Sequence, residues 1–84
     1  MIGLMVSSKC GHDKNHIYIV IEETKDFVFL ANGITYTKEK LKKKNKKHVQ
    51  LIKRRYDKSL IERIVNGSQY SNEELKSAIE LTRV

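Results

Sequence analysis

The residues M-V-S-S-K-C-G-H-D-K-N-H-I-Y-I-V-I occupy positions 5–21 and place two apolar segments on either side of a polar one. The second apolar segment is dense in β-branched and aromatic side chains, which favour strands. Gly11 lies in the polar segment, where glycine permits the positive φ angles that tight turns need. Asn15 tolerates the same conformation less freely. The stretch therefore predicts two strands joined by a glycine-centred turn.

Three more segments outside this stretch are predicted to be strands. Phe27 and Phe29 share one face of the next apolar run and are expected in the core. Asn32 and Gly33 then form a strong hairpin signal, so the residues after them are expected to return as a strand. The five predicted strands cover residues 2–7, 16–23, 26–31, 34–37 and 48–52. A strongly bent five-stranded barrel of the SH3-like type lets so short a meander bury its apolar side chains.

The hydrophobic period changes to a helical one after residue 55. Asp57 is the expected N-cap of a first helix, which Asn66 and Gly67 end. Ser71 and Glu74 have the spacing of a capping box that begins a second helix. The expected packing positions of the two helices are Leu60, Ile61, Ile64, Val65, Leu75, Ala78, Ile79 and Thr82. We therefore expect a mostly β fold, with a barrel at residues 1–55 and a helical tail at residues 56–84.

Length and composition limit the possible classes of protein. The 84 residues are enough for one small domain, which leaves little room for a large cofactor pocket. The single cysteine excludes an internal disulfide and is typical of a reducing compartment. The amino-terminal residues do not resemble a signal peptide, and no segment approaches the roughly 20 apolar residues of a membrane span. The expected location is cytoplasmic, with no membrane partner.

The positive charge of the chain is concentrated in one block. The whole sequence carries 17 Lys and Arg against 10 Asp and Glu, and residues 38–55 hold ten of the basic residues with Glu39 as their only acid. Such a block repels itself unless a polyanion neutralises it, which favours nucleic acid as the partner. The alternative is a solvated loop without a partner. Because lysine outnumbers arginine in this block, we expect contacts to phosphates more than to base edges. Binding should therefore depend on the shape of the RNA more than on its base sequence.

The candidate RNA-binding residues form two groups. The first is the turn, where Asp13 is expected to hydrogen-bond its own backbone and so to fix the loop; it consists of Lys9, Gly11, His12, Asp13 and Lys14. The second consists of Lys38, Lys40, Lys42, Lys43, Lys44, Lys46, Lys47, His48, Lys53, Arg54 and Arg55. Tyr36, just before the block, is the best candidate to stack on a base. Together these residues predict a continuous cationic face.

Three other interpretations of these residues remain open. Cys10, His12 and His16 are competent zinc ligands, but the spacing from Cys10 to His12 is too tight, and the fourth ligand would have to be His48 or Asp13. A histidine pair could act as the acid and base of a small ribonuclease. The chain could also be a protein-interaction module in transcription or translation, with the lysines serving solubility.

The chain resembles the KOW-domain RNA-binding proteins, in particular the small bacterial relatives of the large-subunit ribosomal KOW proteins of archaea and eukaryotes. The KOW motif runs from a strand through a glycine-centred turn and a basic residue into a second strand, and residues 5–21 match it with Gly11 at the central glycine. Asn32 and Gly33, followed by K-K-K-N-K-K-H-V at positions 42–49, match two further features of the bacterial proteins. The likeness covers about residues 4–52.

The resemblance implies an SH3-like barrel that binds RNA, commonly ribosomal RNA, through its loops. The residues that carry over by position are Gly11, Asp13, Lys14, Lys42, Lys43, Lys44, Lys46, Lys47 and His48. The chain departs from the family where His12 replaces a common arginine, Asn15 a second glycine and Leu41 a proline. The first change weakens the expected phosphate contact near neutral pH, and the second requires Asn15 to adopt a glycine-like conformation.

These observations together predict a non-catalytic RNA-binding protein that acts with the ribosome or in translation. We expect RNA as the partner, with ribosomal RNA as the first choice. We expect no cofactor, no bound metal and no small-molecule substrate. The sequence leaves the oligomeric state open.

Overall fold

The computed structural model describes residues 1–53 and 56–82. Five strands precede two α-helices in these residues. The strands are β1 (Met5–Ser8), β2 (Ile17–Glu23), β3 (Phe27–Ala31), β4 (Lys42–Asn45) and β5 (Val49–Leu51), with a short 3-10 helix at Lys46–His48 between the last two. The helices are α1 (Lys58–Asn66) and α2 (Asn72–Thr82). Arg54 and Arg55, two of the predicted RNA-binding residues, lie outside the described residues.

The strands form one antiparallel sheet in the order β4-β3-β2-β1-β5. β4 and β5 are therefore at opposite edges, although only the 3-10 helix separates them along the chain. A flat sheet would hold these edges about 19 Å apart, whereas the chain from Asn45 to Val49 spans at most about 14 Å. The sheet is therefore strongly curved. A bulge at Ile21, between the paired residues Val20 and Glu22, adds to the bend of β2.

Each face of the curved sheet carries its own apolar core. The inner core lies within the curve and consists of Val6, Tyr18, Val20, Val28, Leu30 and Val49. The outer core joins the sheet to the helices and consists of Met5, Ile19, Ala31, Leu60, Ile64, Leu75, Ala78 and Ile79. The helical tail therefore packs on the outer face of the sheet, a question that the sequence left open. Leu41 also packs against the outer core, so the lysine block is anchored to the fold.

The prediction of a strand at residues 34–37 is wrong. Asn32 and Gly33 do begin a turn, and both of their N–H groups donate to the Tyr36 carbonyl. The Asn32 side chain also accepts from the backbone of Ile34 and Tyr36, which closes the segment into a loop instead of releasing it as a strand. The strand that pairs with β3 is β4, inside the lysine block.

The prediction that Phe27 and Phe29 are core residues is also wrong. The buried residues of β3 are Val28, Leu30 and Ala31, while both phenylalanines are half-buried. Since side chains alternate along a strand, Phe27 and Phe29 face the side opposite to Val28 and Leu30. The Lys43 ammonium lies 4.2 Å from the centre of the Phe27 ring. Val28 and Leu30 therefore supply the inner core in their place.

The predicted helix ends are confirmed. The Asp57 carboxylate accepts from the Leu60 N–H at 3.1 Å, and Gly67 ends α1 in the left-handed conformation. Ser71 and Glu74 exchange the two hydrogen bonds of a capping box. The predicted packing residues of α2 are all buried, whereas Val65 of α1 is 57% exposed. Among the described residues, neither helix is long and apolar enough to cross a membrane.

The start of α2 is held against the loop at residues 32–40. A β-carbon on Gly33 would lie 2.2 Å from the Asn72 carbonyl oxygen, so the loop backbone touches the helix backbone directly. The Asn72 side chain accepts from the Lys38 N–H and donates to the Glu39 carboxylate, both at 2.9 Å. The Lys38 ammonium donates to the Tyr70 carbonyl at 2.8 Å. The helical tail therefore positions the loop that carries Tyr36.

Candidate nucleic-acid interface

The turn between β1 and β2 is closed by backbone hydrogen bonds at its base. The Ser8 carbonyl accepts from Asn15, and the Asp13 carbonyl accepts from His16, both at 2.9 Å. Gly11 and Asn15 have φ angles of +87° and +72°. Asn15 therefore adopts the glycine-like conformation that the sequence required of it. The turn holds its exposed basic residues, Lys9, His12 and Lys14, on a defined backbone.

The Asp13 side chain is the centre of the site. Its carboxylate accepts from the Ser8 hydroxyl at 3.0 Å, the Tyr18 hydroxyl at 3.1 Å and the Lys44 ammonium at 2.9 Å. Lys42 adds a fourth, longer contact at 3.7 Å. The prediction that Asp13 hydrogen-bonds its own turn backbone is therefore wrong. The carboxylate instead joins the turn to β2 and β4.

The charges of this network determine its protonation. Burial disfavours the ionised form of Asp13, but hydrogen bonds from Lys44, Ser8 and Tyr18 outweigh burial and hold the pKa of the carboxyl well below its usual range. Burial and the neighbouring carboxylate raise the pKa of the Tyr18 hydroxyl. Asp13 is therefore ionised and Tyr18 neutral at physiological pH.

Among the described residues, four lysines of the predicted RNA-binding set have side chains in hydrogen bonds or ion pairs within the protein. Lys44 and Lys42 face Asp13, and their side chains are only 12% and 25% exposed. Lys46 pairs with Glu23 at 2.9 Å, and Lys38 bonds to the residues that begin α2. These four lysines have a structural role whatever else they bind.

The remaining basic residues of the predicted set are exposed. Those within the described chain are Lys9, His12, Lys14, Lys40, Lys43, Lys47, His48 and Lys53. The turn and the basic segment are in direct contact: Lys44 and Lys42 reach Asp13, and the Lys9 N–H donates to the His48 carbonyl at 2.8 Å. Two cationic segments that are well separated in the chain are therefore neighbours in space.

Tyr36 stands beside this network, half-buried against the inner core. Its ring packs edge-on to Tyr18, with the ring centres 6.2 Å apart. The Lys42 ammonium lies 4.7 Å from the centre of the Tyr36 ring and donates to its hydroxyl at 3.3 Å. Tyr36 therefore joins the cationic strand to the aromatic part of the inner core.

Sequence reasoning missed Ser8 and Tyr18 as members of the site. Tyr18 alternates with Ile17 and Ile19, which places it on the inner face of β2. A buried tyrosine hydroxyl needs a hydrogen-bond partner, and Asp13 is the acidic residue of the turn that leads into β2. That requirement is the signal that could have predicted their contact.

The residues considered as metal ligands do not assemble. Among residues 1–53 and 56–82, no three His, Cys, Asp or Glu side chains lie close enough together to hold a metal ion. Cys10 is exposed, and the Asp13 carboxylate already has its contacts with Lys44 and Lys42. The charged groups of the site pair with one another instead.

Comparison of the chain with known protein families and with curated proteins finds no match.

The dependence of the free energy of unfolding on pH in acidic solution tests the Asp13 network. Because the folded pKa of Asp13 lies below its unfolded value of about 4, its stabilisation is present above that value and is lost as the pH falls through the folded pKa. Glu23 acts in the same direction, since the amino-terminal ammonium and Lys46 lower its pKa to about 2. We expect urea midpoints to fall between about pH 5 and pH 2, and to fall less steeply for Asp13→Asn. Parallel profiles for the two proteins would contradict the network.

Proposed function

We propose that this protein is a non-catalytic RNA-binding module that contacts the phosphate backbone of structured RNA, with ribosomal RNA as its target. The proposal includes an SH3-like barrel of the KOW type, closed by the curvature of the five-stranded sheet. The resemblance of residues 5–21 to the KOW motif supports both parts. We infer a cytoplasmic location, where the protein would meet ribosomal RNA.

One observation carries the proposal. The turn around Gly11 and the basic segment after Tyr36 lie side by side, joined by the Lys44–Asp13 pair and the Lys9–His48 backbone bond. Exposed cations from both segments therefore surround one region of the surface. A flexible lysine loop without a partner would not need these connections.

Edge protection is the strongest alternative role for the lysines. β4 is an edge strand, and charged side chains on such strands prevent pairing with other chains. That role accounts for the lysines of β4 itself. It does not account for Lys9 and Lys14, which lie on a turn outside the strand and beside the basic segment.

Removal of two exposed cations from this region should weaken RNA binding and reduce its dependence on salt. For Lys14→Gln combined with Lys47→Gln, we expect an affinity loss of about tenfold near 0.1 M salt, and a plot of log affinity against log salt that is shallower by about 2. The measurement is filter binding of large-subunit ribosomal RNA over a salt series.

The matched control removes the same charge elsewhere. Lys58 and Lys76 are exposed lysines on α1 and α2, and their double replacement by Gln should change the affinity less than about twofold. Equal losses for the two double variants would show that net charge alone governs binding. A wild-type protein that binds no RNA at low salt would overturn the proposed function.

A further inference from the structure

A groove opens beside the Asp13 network, between the β1–β2 turn and the loop that carries Tyr36. It has a volume of about 500 Å³, within the range of small-molecule sites. The side chains at its base are Asp13, Tyr18, Lys42 and Lys44, and its rim includes Gly11, His12, His16, Thr35 and Tyr36. A β-carbon on Gly11 would lie 3.4 Å from the Asp13 carboxylate and 3.9 Å from the Lys44 ammonium. The lack of a side chain at Gly11 therefore leaves the bottom of the groove accessible.

The base of the groove is poorly suited to a phosphate. The Asp13 carboxylate compensates one of the two ammonium groups that contact it. A phosphate placed there would meet the carboxylate as well as the lysines, whereas the exposed lysines outside the groove have no carboxylate in contact among residues 1–53 and 56–82. The Tyr36 ring also lines the groove, beside the Tyr18 ring, which is only 1% exposed. This combination favours a flat, neutral, polar ring.

We propose that the groove holds one unpaired nucleobase of the bound RNA, with Tyr36 as the aromatic wall. This inference rests on the proposed function, because the base is delivered by an RNA whose phosphates contact the surrounding lysines. Single-stranded or bulged nucleotides supply such bases, since their rings are free to leave the stack and pack on aromatic side chains.

The hydrogen-bonding groups in the groove select the base. The Asp13 oxygens accept three hydrogen bonds and face the Lys42 ammonium at 3.7 Å. Lys44 donates to Asp13 and to the Cys10 carbonyl, which leaves one of its three N–H groups. The Tyr36 hydroxyl accepts from Lys42 and retains its own proton for donation. Lys42, Lys44 and Tyr36 therefore offer donors. Guanine presents two acceptors, O6 and N7, on one edge, while adenine places an amino donor beside N7. We therefore assign guanine as the preferred purine.

The test uses three RNA hairpins that differ at one position: a bulged guanine, a bulged adenine, or no bulge. We expect the wild-type protein to bind the guanine bulge at least about fivefold more tightly than the adenine bulge, and to bind the fully paired hairpin most weakly. Methylation of guanine N7 by dimethyl sulfate gives a second measurement. The bulged guanine should be protected in the complex.

The variant Tyr36→Leu keeps an apolar side chain against the inner core but removes the aromatic wall. We expect it to lose the preference for the bulge and the N7 protection while it retains salt-dependent binding to the paired hairpin. Tyr70→Leu is the matched control, since Tyr70 is also half-buried beneath a lysine ammonium, 4.6 Å from its ring centre, and lies outside the groove. It should behave as the wild type does.

Two results would overturn the inference. Equal, salt-dependent binding of all three hairpins by the wild type would exclude a base in the groove and leave the proposed phosphate-binding function intact. If the protein binds neither the hairpins nor ribosomal RNA, both the inference and the proposed function are wrong.

Discussion

Replacing Gly33 with alanine is expected to lower the free energy of unfolding by about 2–5 kcal/mol. The added β-carbon would lie 2.2 Å from the Asn72 carbonyl oxygen and 2.9 Å from the Lys76 nitrogen, and both are backbone atoms of α2 that no side-chain rotation can move. Overpacking of this kind costs about 1–3 kcal/mol. The φ angle of +82° adds about 1–2 kcal/mol for a residue with a β-carbon. The measurement is the urea midpoint, followed by circular dichroism.

Gly67→Ala is the control that separates backbone conformation from contact. Gly67 has a similar φ angle of +72°, but nothing lies within 4 Å of the position where its β-carbon would be. Its replacement should therefore cost only the conformational part, about 1–2 kcal/mol. If the two alanine variants lose the same stability, the backbone of the 32–40 loop does not approach α2 as closely as the Gly33 position requires.

The helical tail was the part of the fold most completely predictable from the sequence. Its caps depend on side chains only a few residues from the backbone groups that they satisfy, as with Asp57 and Leu60 or Ser71 and Glu74. Such local interactions appear in the sequence as fixed spacings. The positions of four of the five strands were also predictable from local pattern, since these strands coincide with short apolar runs.

β4 was not predictable from local pattern, because K-K-K-N has no strand propensity. Its conformation comes from its neighbours. Lys42 and Lys44 project toward Asp13 and Tyr36, whereas Lys43 projects to the other face and lies over the Phe27 ring. Long lysine stems cover apolar surface while their ammonium groups find partners at the edge. Tertiary contacts therefore override the local preference of the segment.

The candidate site was predicted by residue type but not by role. The sequence placed all the lysines of the basic block on one RNA-binding face, because charge counts do not distinguish paired from exposed groups. The pairing of Lys44 with Asp13 joins residues 31 positions apart. Only the antiparallel pairing of β4 with β3 brings this strand to the turn. Which lysines remain exposed to an RNA is therefore a property of the fold.

Asp13→Ala is expected to lower the free energy of unfolding by about 2–4 kcal/mol. The substitution leaves the Tyr18 hydroxyl without its acceptor and the Ser8 hydroxyl with the Cys10 carbonyl alone. It also leaves the Lys44 ammonium, 12% exposed, without its counter-charge. Hydrogen bonds to a charged group are worth about 1.5–3 kcal/mol each, and an unpaired, largely buried charge adds a further cost. Urea unfolding at neutral pH measures the loss. Asp26→Ala, at an exposed position in the β2–β3 turn, should change stability by less than about 0.5 kcal/mol.

A double-mutant cycle identifies the part of this loss that belongs to the ion pair. Lys44→Met keeps much of the lysine stem but removes the ammonium, so in the Asp13→Ala background it eliminates an unpaired charge instead of breaking a pair. We expect the double variant to be more stable than the sum of the two single losses predicts, by about 1–3 kcal/mol. Additive losses would mean that Lys44 is solvated in the folded protein. Lys44 would then be free to contact RNA with the other lysines, and Asp13 would act through Ser8 and Tyr18 alone.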